Sequence, residues 1–172
     1  MPSLKTLLLT LASLTLPTAL AAPSTTSSPL SKRATYHPSS PPERDDYCGE
    51  AVPTYTYGSS APLATDCEAM PPLYPGPGYW TVSTAETNAA PDRWVRLVAS
   101  GTCAFEVRWN SATAPVQDYR FGSNDLGFYV RSHASRYQAQ DGRVSVKSGV
   151  WCSRNGTAEG GMASLDWRVV HS

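Results

Sequence analysis

Four cysteines behind an export-type leader constrain this chain more than any other feature: Cys48, Cys67, Cys103 and Cys152 all lie in the C-terminal three quarters. An even cysteine count in an exported chain predicts two disulfides, which supply a large part of the stability of a small domain. The leader is read from Lys5, the apolar run Leu7 to Leu16, then Pro17 and Ala19-Leu20-Ala21. A membrane span needs ~20 apolar residues, so the run is too short for one, and the small residues after it suit a signal peptidase cutting after Ala21. No Cys-x-x-Cys pair of the zinc-binding kind occurs. Three disulfide pairings are open. Cys48 with Cys152 and Cys67 with Cys103 is preferred, because it ties an extended N-terminal arm to the sheet twice, and each bridge is worth ~3 to 5 kcal/mol by loop closure.

The sequence predicts four segments: a signal peptide over 1–21, a candidate propeptide over 22–33, a disordered linker over 34–47 and one domain over 48–172. Between Pro23 and Tyr47, 14 of 25 residues are Pro, Ser or Thr, too little apolar area to offset ordering of the chain. The dibasic pair Lys32-Arg33 sits in this stretch, where a processing protease would cut and leave Ala34 as the mature N-terminus. Charge is balanced at 14 Lys plus Arg and 14 Asp plus Glu, and loss of Lys5, Lys32 and Arg33 makes the mature chain acidic, near −3. That excludes nucleic acid and anionic membrane as electrostatic partners. The expected state is a secreted, extracellular monomer with no transmembrane segment and no cofactor or metal.

Fifteen Pro and 12 Gly point to a turn-rich body rather than a helical bundle. Cys48 to Gly78 reads as an arm of turns, because Pro71-Pro72 and Pro75-Gly76-Pro77-Gly78 break helix and strand alike. Strands are predicted over 79–85, 94–99, 103–109, 116–121, 144–150 and 162–170, the third and fifth with clear alternation. Ser100-Gly101 predicts a hairpin between the second and third of these. Leu126, Val130, Ala134 and Tyr137 share a face at helical spacing after the N-cap residues Ser123-Asn124-Asp125. The expected class is α+β: an antiparallel sheet of four to five strands with one amphipathic helix packed on it.

A set of motifs then carries a resemblance. Cys48-Gly49, Ala64-Thr65-Asp66-Cys67, Trp80, Gly101-Thr102-Cys103-Ala104-Phe105-Glu106-Val107, Phe121-Gly122-Ser123-Asn124-Asp125-Leu126, Gly149-Val150-Trp151-Cys152 and Asp166-Trp167-Arg168-Val169 follow one another in order. From about Tyr47 to Val170 the chain resembles the necrosis-inducing factor domain of secreted fungal effectors, homologues of the extracellular protein 2 effector. The resemblance implies an apoplastic protein acting on plant cells, two disulfides in an α+β fold, and kinship with secreted killer toxins. It carries over no catalytic residues.

The residues themselves weigh against catalysis. No Gly-x-Ser-x-Gly elbow occurs, the cysteines are committed to disulfides, and of His37, His133 and His171 only His133 on the predicted helix is placed for a site. Glu106, Asp118, Asp125 and Asp166 are the carboxylates that could converge as a glycosidase pair. Glu106 and Asp166 are expected on a wetter sheet face and Asp125 as a helix N-terminal charge. Trp109, Trp167 and Trp151 are expected in the core, the last against a half-cystine. Tyr55, Tyr57, Tyr74 and Tyr79 of the arm are the candidate binding anchors, and Asn155-Gly156-Thr157 is a glycosylation sequence. The leading reading is an effector that binds a host protein or cell-wall component, with a wall-carbohydrate binder or a killer-toxin-like antimicrobial protein as alternatives.

Overall fold

Alternation along the strands resolves into two antiparallel sheets in a computed structural model of the protein, which describes residues 34–40, 45–74, 76–90, 92–110, 118–154 and 161–172. In chain order the elements are β1 (Thr35–Pro38), β2 (Thr54–Thr56), α1 (Ala64–Glu68), a 3-10 turn (Pro71–Leu73), β3 (Gly78–Ser83) and α2 (Thr84–Ala89). Then follow β4 (Val95–Ser100), β5 (Cys103–Trp109), β6 (Asp118–Gly122), α3 (Ser123–Tyr129), a π turn (Val130–Ser135), β7 (Ser145–Ser153) and β8 (Met162–His171). The larger sheet has the order β2-β7-β8-β5-β4 and the smaller β1-β3-β6. The predicted hairpin joins β4 to β5, with Gly101 at φ +52° in the turn.

Side chains on one face of the large sheet meet the small sheet and α3. Trp167 stacks on Phe105 at 5.6 Å and on Tyr129 of α3 at 4.8 Å, Phe105 packs against Phe121 of β6 at 5.5 Å, and Trp109 meets Tyr119 edge-on at 4.9 Å. Trp80, Val82, Leu126, Leu165 and Val169 complete this buried layer. Trp109 and Trp167 thus occupy the core, as the parity of their strands requires. The disulfides are Cys48–Cys152 and Cys67–Cys103. The first ties the segment before β2 to β7, and the second ties α1 to β5.

Several expectations are corrected. The protein is mostly sheet, and the sheet is two sheets, because β6 turns back along β3 rather than along β5. The long amphipathic helix is only seven residues of α-helix, ending at Tyr129 and continuing as a π turn in which Ser135 Oγ donates to the Val130 carbonyl at 3.3 Å. Helices α1 and α2 were not predicted. The signal for α2 is present as Ser83-Thr84-Ala85-Glu86, a capping box in which Glu86 N–H donates to Ser83 Oγ at 3.0 Å and Ser83 N–H to Glu86 Oε2 at 2.9 Å. Disorder over 34–47 does not hold at Thr35–Pro38: Tyr36 lies 4.9 Å from the Trp80 ring and 5.6 Å from that of Tyr74, apolar contact that a count of Pro, Ser and Thr overlooks. Ala21, Lys32, Arg33 and Asn155 lie outside the described residues, as do the predicted leader and propeptide.

Candidate functional site

The face of the large sheet turned away from the core carries its side chains in rungs set by strand register. Lys147 on β7 stands opposite Arg168 on β8, which stands opposite Glu106 on β5, which stands opposite Arg96 on β4. The next rung runs Gly149, Asp166, Arg108, and beyond it Trp151 faces Ser164. Asn110 follows β5, its N–H donating to the Ser164 carbonyl at 3.2 Å and its Nδ2 to Ser164 Oγ at 3.3 Å.

Opposite charges on these rungs pair across the strands. Glu106 meets Arg96 at 3.1 Å through Oε1 and Arg168 at 2.6 Å through Oε2, while Arg168 also reaches Asp92 at 2.7 Å. Arg108 places both Nε and Nη2 on Asp166 Oδ2, at 3.0 and 2.9 Å. Trp94, just ahead of β4, is covered by two guanidinium groups, Arg168 at 4.2 Å and Arg108 at 4.4 Å from its ring centroid. Partial burial pushes Asp92 upward, but the hydrogen bonds from Arg168 and the Trp94 N–H outweigh it and hold its carboxyl below the usual range. The expectation of a wet Glu106 is corrected: it is 5% exposed, because two arginines and the Trp94 segment close over it. A groove of about 280 Å³ crosses these rungs, with Val52 and Thr54 on one side, Trp94 and Arg108 on the other, and Lys147, Gly149 and Asp166 between.

Trp151 departs most from expectation. It was placed against the disulfide, yet β7 turns it outward and it is 60% exposed, while Cys152 beside it points to the core. The four tyrosine anchors do not form one surface. Only Tyr57 is well exposed, at 52%. Tyr55 bonds His133 Nδ1 at 3.1 Å, Tyr74 donates to the Ser123 carbonyl at 3.1 Å and meets Trp80 edge-on, and Tyr79 stacks on His37 under the Arg120 guanidinium. His133 lies against Trp167 and Tyr129, and burial lowers its pKa.

The candidate glycosidase carboxylates do not act together. Glu106 and Asp166 are engaged by arginines, Asp118 is exposed at the start of β6, and Asp125 is buried in a structural role. Asp125 accepts the backbone N–H groups of Tyr47 at 2.8 Å, Cys48 at 3.1 Å and Gly122 at 3.0 Å, which exceeds the simple helix-charge role expected of it. Asp66 plays the matching part at the other disulfide, accepting Thr102 N–H and Oγ1–H, each at 2.7 Å. These hydrogen bonds hold the Asp66 carboxyl below its ordinary pKa.

No helix among the described residues is long and apolar enough to cross a membrane. Two of the motif carboxylates serve the scaffold: Asp66 beside Cys67 clamps the turn before Cys103, and Asp125 clamps the backbone at Cys48. A search of curated proteins finds no match. Residues 47–152 match the family model Hce2, described as "pathogen effector; putative necrosis-inducing factor". That stretch runs from the first clamped residue, Tyr47, to the last cysteine, and the chain belongs to the Hce2 family of pathogen effectors.

Proposed function

We propose that the protein is exported, processed to begin at Ala34, and acts as a monomeric effector outside the host cell by binding a host component through the outer face of its large sheet, without catalysing a reaction. The observation that carries this reading is the contrast between two carboxylates spent on holding backbone, Asp66 and Asp125, and a row of outward side chains on β7, β8 and β5 along a groove. The disulfides suit persistence in an oxidising, protease-rich space. Lys147 and Trp151 are the exposed side chains that β7 contributes to that row, so they are the residues to change without disturbing the core.

Infiltration of the processed protein into leaves of several plant species, scored by ion leakage, tests the reading. The folded protein is expected to cause leakage that is absent for the reduced and alkylated form and strongly reduced for the Lys147→Glu, Trp151→Ala double variant. Silence in every host, or equal activity of the double variant, would remove this reading.

A further inference from the structure

We infer that the outer face of the large sheet holds a subsite for an uncharged hexopyranose oligosaccharide, built from Trp151, Gly149, Asp166, Asn110 and Ser164; this rests on the reading of the face as a binding surface. Of the five tryptophans, Trp80, Trp94, Trp109 and Trp167 are buried and Trp151 alone is exposed. An exposed indole on a strand offers an apolar face to the C–H side of a sugar ring, and covering it releases water.

Hydroxyl partners lie one strand repeat away. Gly149 is two residues before Trp151 on the same side of β7, so the two positions are ~7 Å apart, about the span of a pyranose and its linkage. The absent side chain leaves a dent. A Cβ at Gly149 would stand 3.6 Å from Asp166 Oδ1, 3.9 Å from the Leu165 carbonyl and 4.0 Å from Asn110 Nδ2. Asp166 Oδ1 and Asn110 Nδ2 thus offer an acceptor and a donor to ligand hydroxyls. They are pre-set: Arg108 takes Asp166 through Oδ2 and turns Oδ1 to the dent, and Ser164 Oγ anchors one N–H of the Asn110 amide.

Charge selects an uncharged ligand. Arg96, Arg108 and Arg168 are matched on this face by Asp92, Glu106 and Asp166, which leaves Lys147 as a single unmatched cation, and the processed chain is net acidic, so a polyanion gains little general attraction. A hydroxyl-rich neutral glycan needs only the stacking and hydrogen-bonding groups present.

Processed protein secreted by an expression host is titrated with laminarihexaose, cellohexaose and chitohexaose, and in a parallel arm with oligogalacturonate, following tryptophan emission and heat of binding. At least one neutral hexasaccharide is expected to bind with a shift in emission. Trp151→Ala and Gly149→Val should each weaken that binding at least 10-fold, and Glu68→Ala, at an exposed position of α1 away from this face, less than 2-fold. Gly149→Val is expected to stay folded, since a Cβ there meets only ordinary contacts and Val favours strands, and an unchanged melting temperature verifies this. No binding of neutral sugars at millimolar concentration, binding unaffected by both variants, or binding of oligogalacturonate alone would overturn the inference. If sugars fail to bind while leaf leakage still depends on Lys147 and Trp151, the sugar subsite falls and the effector reading stands; if leakage is independent of both while sugars bind, the reverse holds.

Discussion

Asp125 accepts the backbone N–H of Tyr47 at 2.8 Å across 78 positions of sequence, and so joins the start of α3 to the chain just ahead of the first half-cystine. Its other bonds reach Cys48 and Gly122. Asp66 does the same for Thr102 beside the second disulfide. Each covalent link is therefore paired with a carboxylate that orients the backbone entering it.

Replacing Asp125 by Ala leaves three N–H groups without their acceptor. Each orphaned buried donor costs ~1 to 3 kcal/mol, and relaxation and water recover part of that, so the loss should be ~3 kcal/mol. Urea denaturation should show it, with Asp125→Asn retaining more than half of the lost stability because its amide oxygen still accepts.

The same carboxyl sets a pH dependence. Burial, together with the neighbouring Asp46, raises the Asp125 pKa from 3.8 to about 8, against the pull of the backbone N–H groups. The native state then holds a proton that the unfolded chain releases between those values. This contribution is complete below pH 3.8 and is lost as pH rises through about 8. Asp66 has the opposite sign: its lowered pKa stabilises the fold above pH 3.8 and fails as pH falls through the folded value. The melting temperature should therefore peak in mild acid and decline toward pH 8, and Asp125→Asn should flatten the alkaline side alone.

Loop closure ranks the disulfides. Cys48–Cys152 encloses 104 residues of separation and Cys67–Cys103 encloses 36. The corresponding stabilisations are ~5 and ~4 kcal/mol, so the Cys48→Ser, Cys152→Ser variant should melt lower than the Cys67→Ser, Cys103→Ser variant. Intact mass of the native protein should lie four protons below the fully reduced form, with no alkylation before reduction.

Two glycines should respond in opposite ways. A Cβ on Gly122 would collide with the Asp45 carbonyl oxygen and crowd Asp125 Oδ2 at 2.7 Å, so Gly122→Ala should cost ~3 kcal/mol or more, within the range of severe overpacking. Gly149→Ala meets nothing closer than 3.6 Å and should be neutral or slightly stabilising, since Ala loses less chain entropy than Gly in a strand. Thermal melts of both variants check the contrast.

Removing Glu106 leaves Arg96 and Arg168 without their shared partner. The arginines are about a quarter exposed, which screens them, so Glu106→Ala should cost ~2 kcal/mol rather than the 3 to 5 kcal/mol of a fully buried pair. The loss should shrink in Glu106→Gln, measured by urea midpoint.

Local pattern alone determined the strands β5, β7 and β8, the Gly101 hairpin, and the burial of Trp109 and Trp167, because period-two alternation and a turn glycine act over a few residues. The motif order was also legible, and with it the family. Long-range pairing was not. Only the tertiary structure decided that Thr35–Pro38 would join a second sheet, that Asp125 would hold Tyr47 and Cys48, and that Glu106 would be covered by arginines from β4 and β8. Trp151 shows how the two combine: its neighbour Cys152 suggested burial, yet the alternation of Val146 and Val150 sets Trp151 with Lys147 and Gly149 on the opposite side, and only the packing of β7 between β2 and β8 decided that this side stays uncovered.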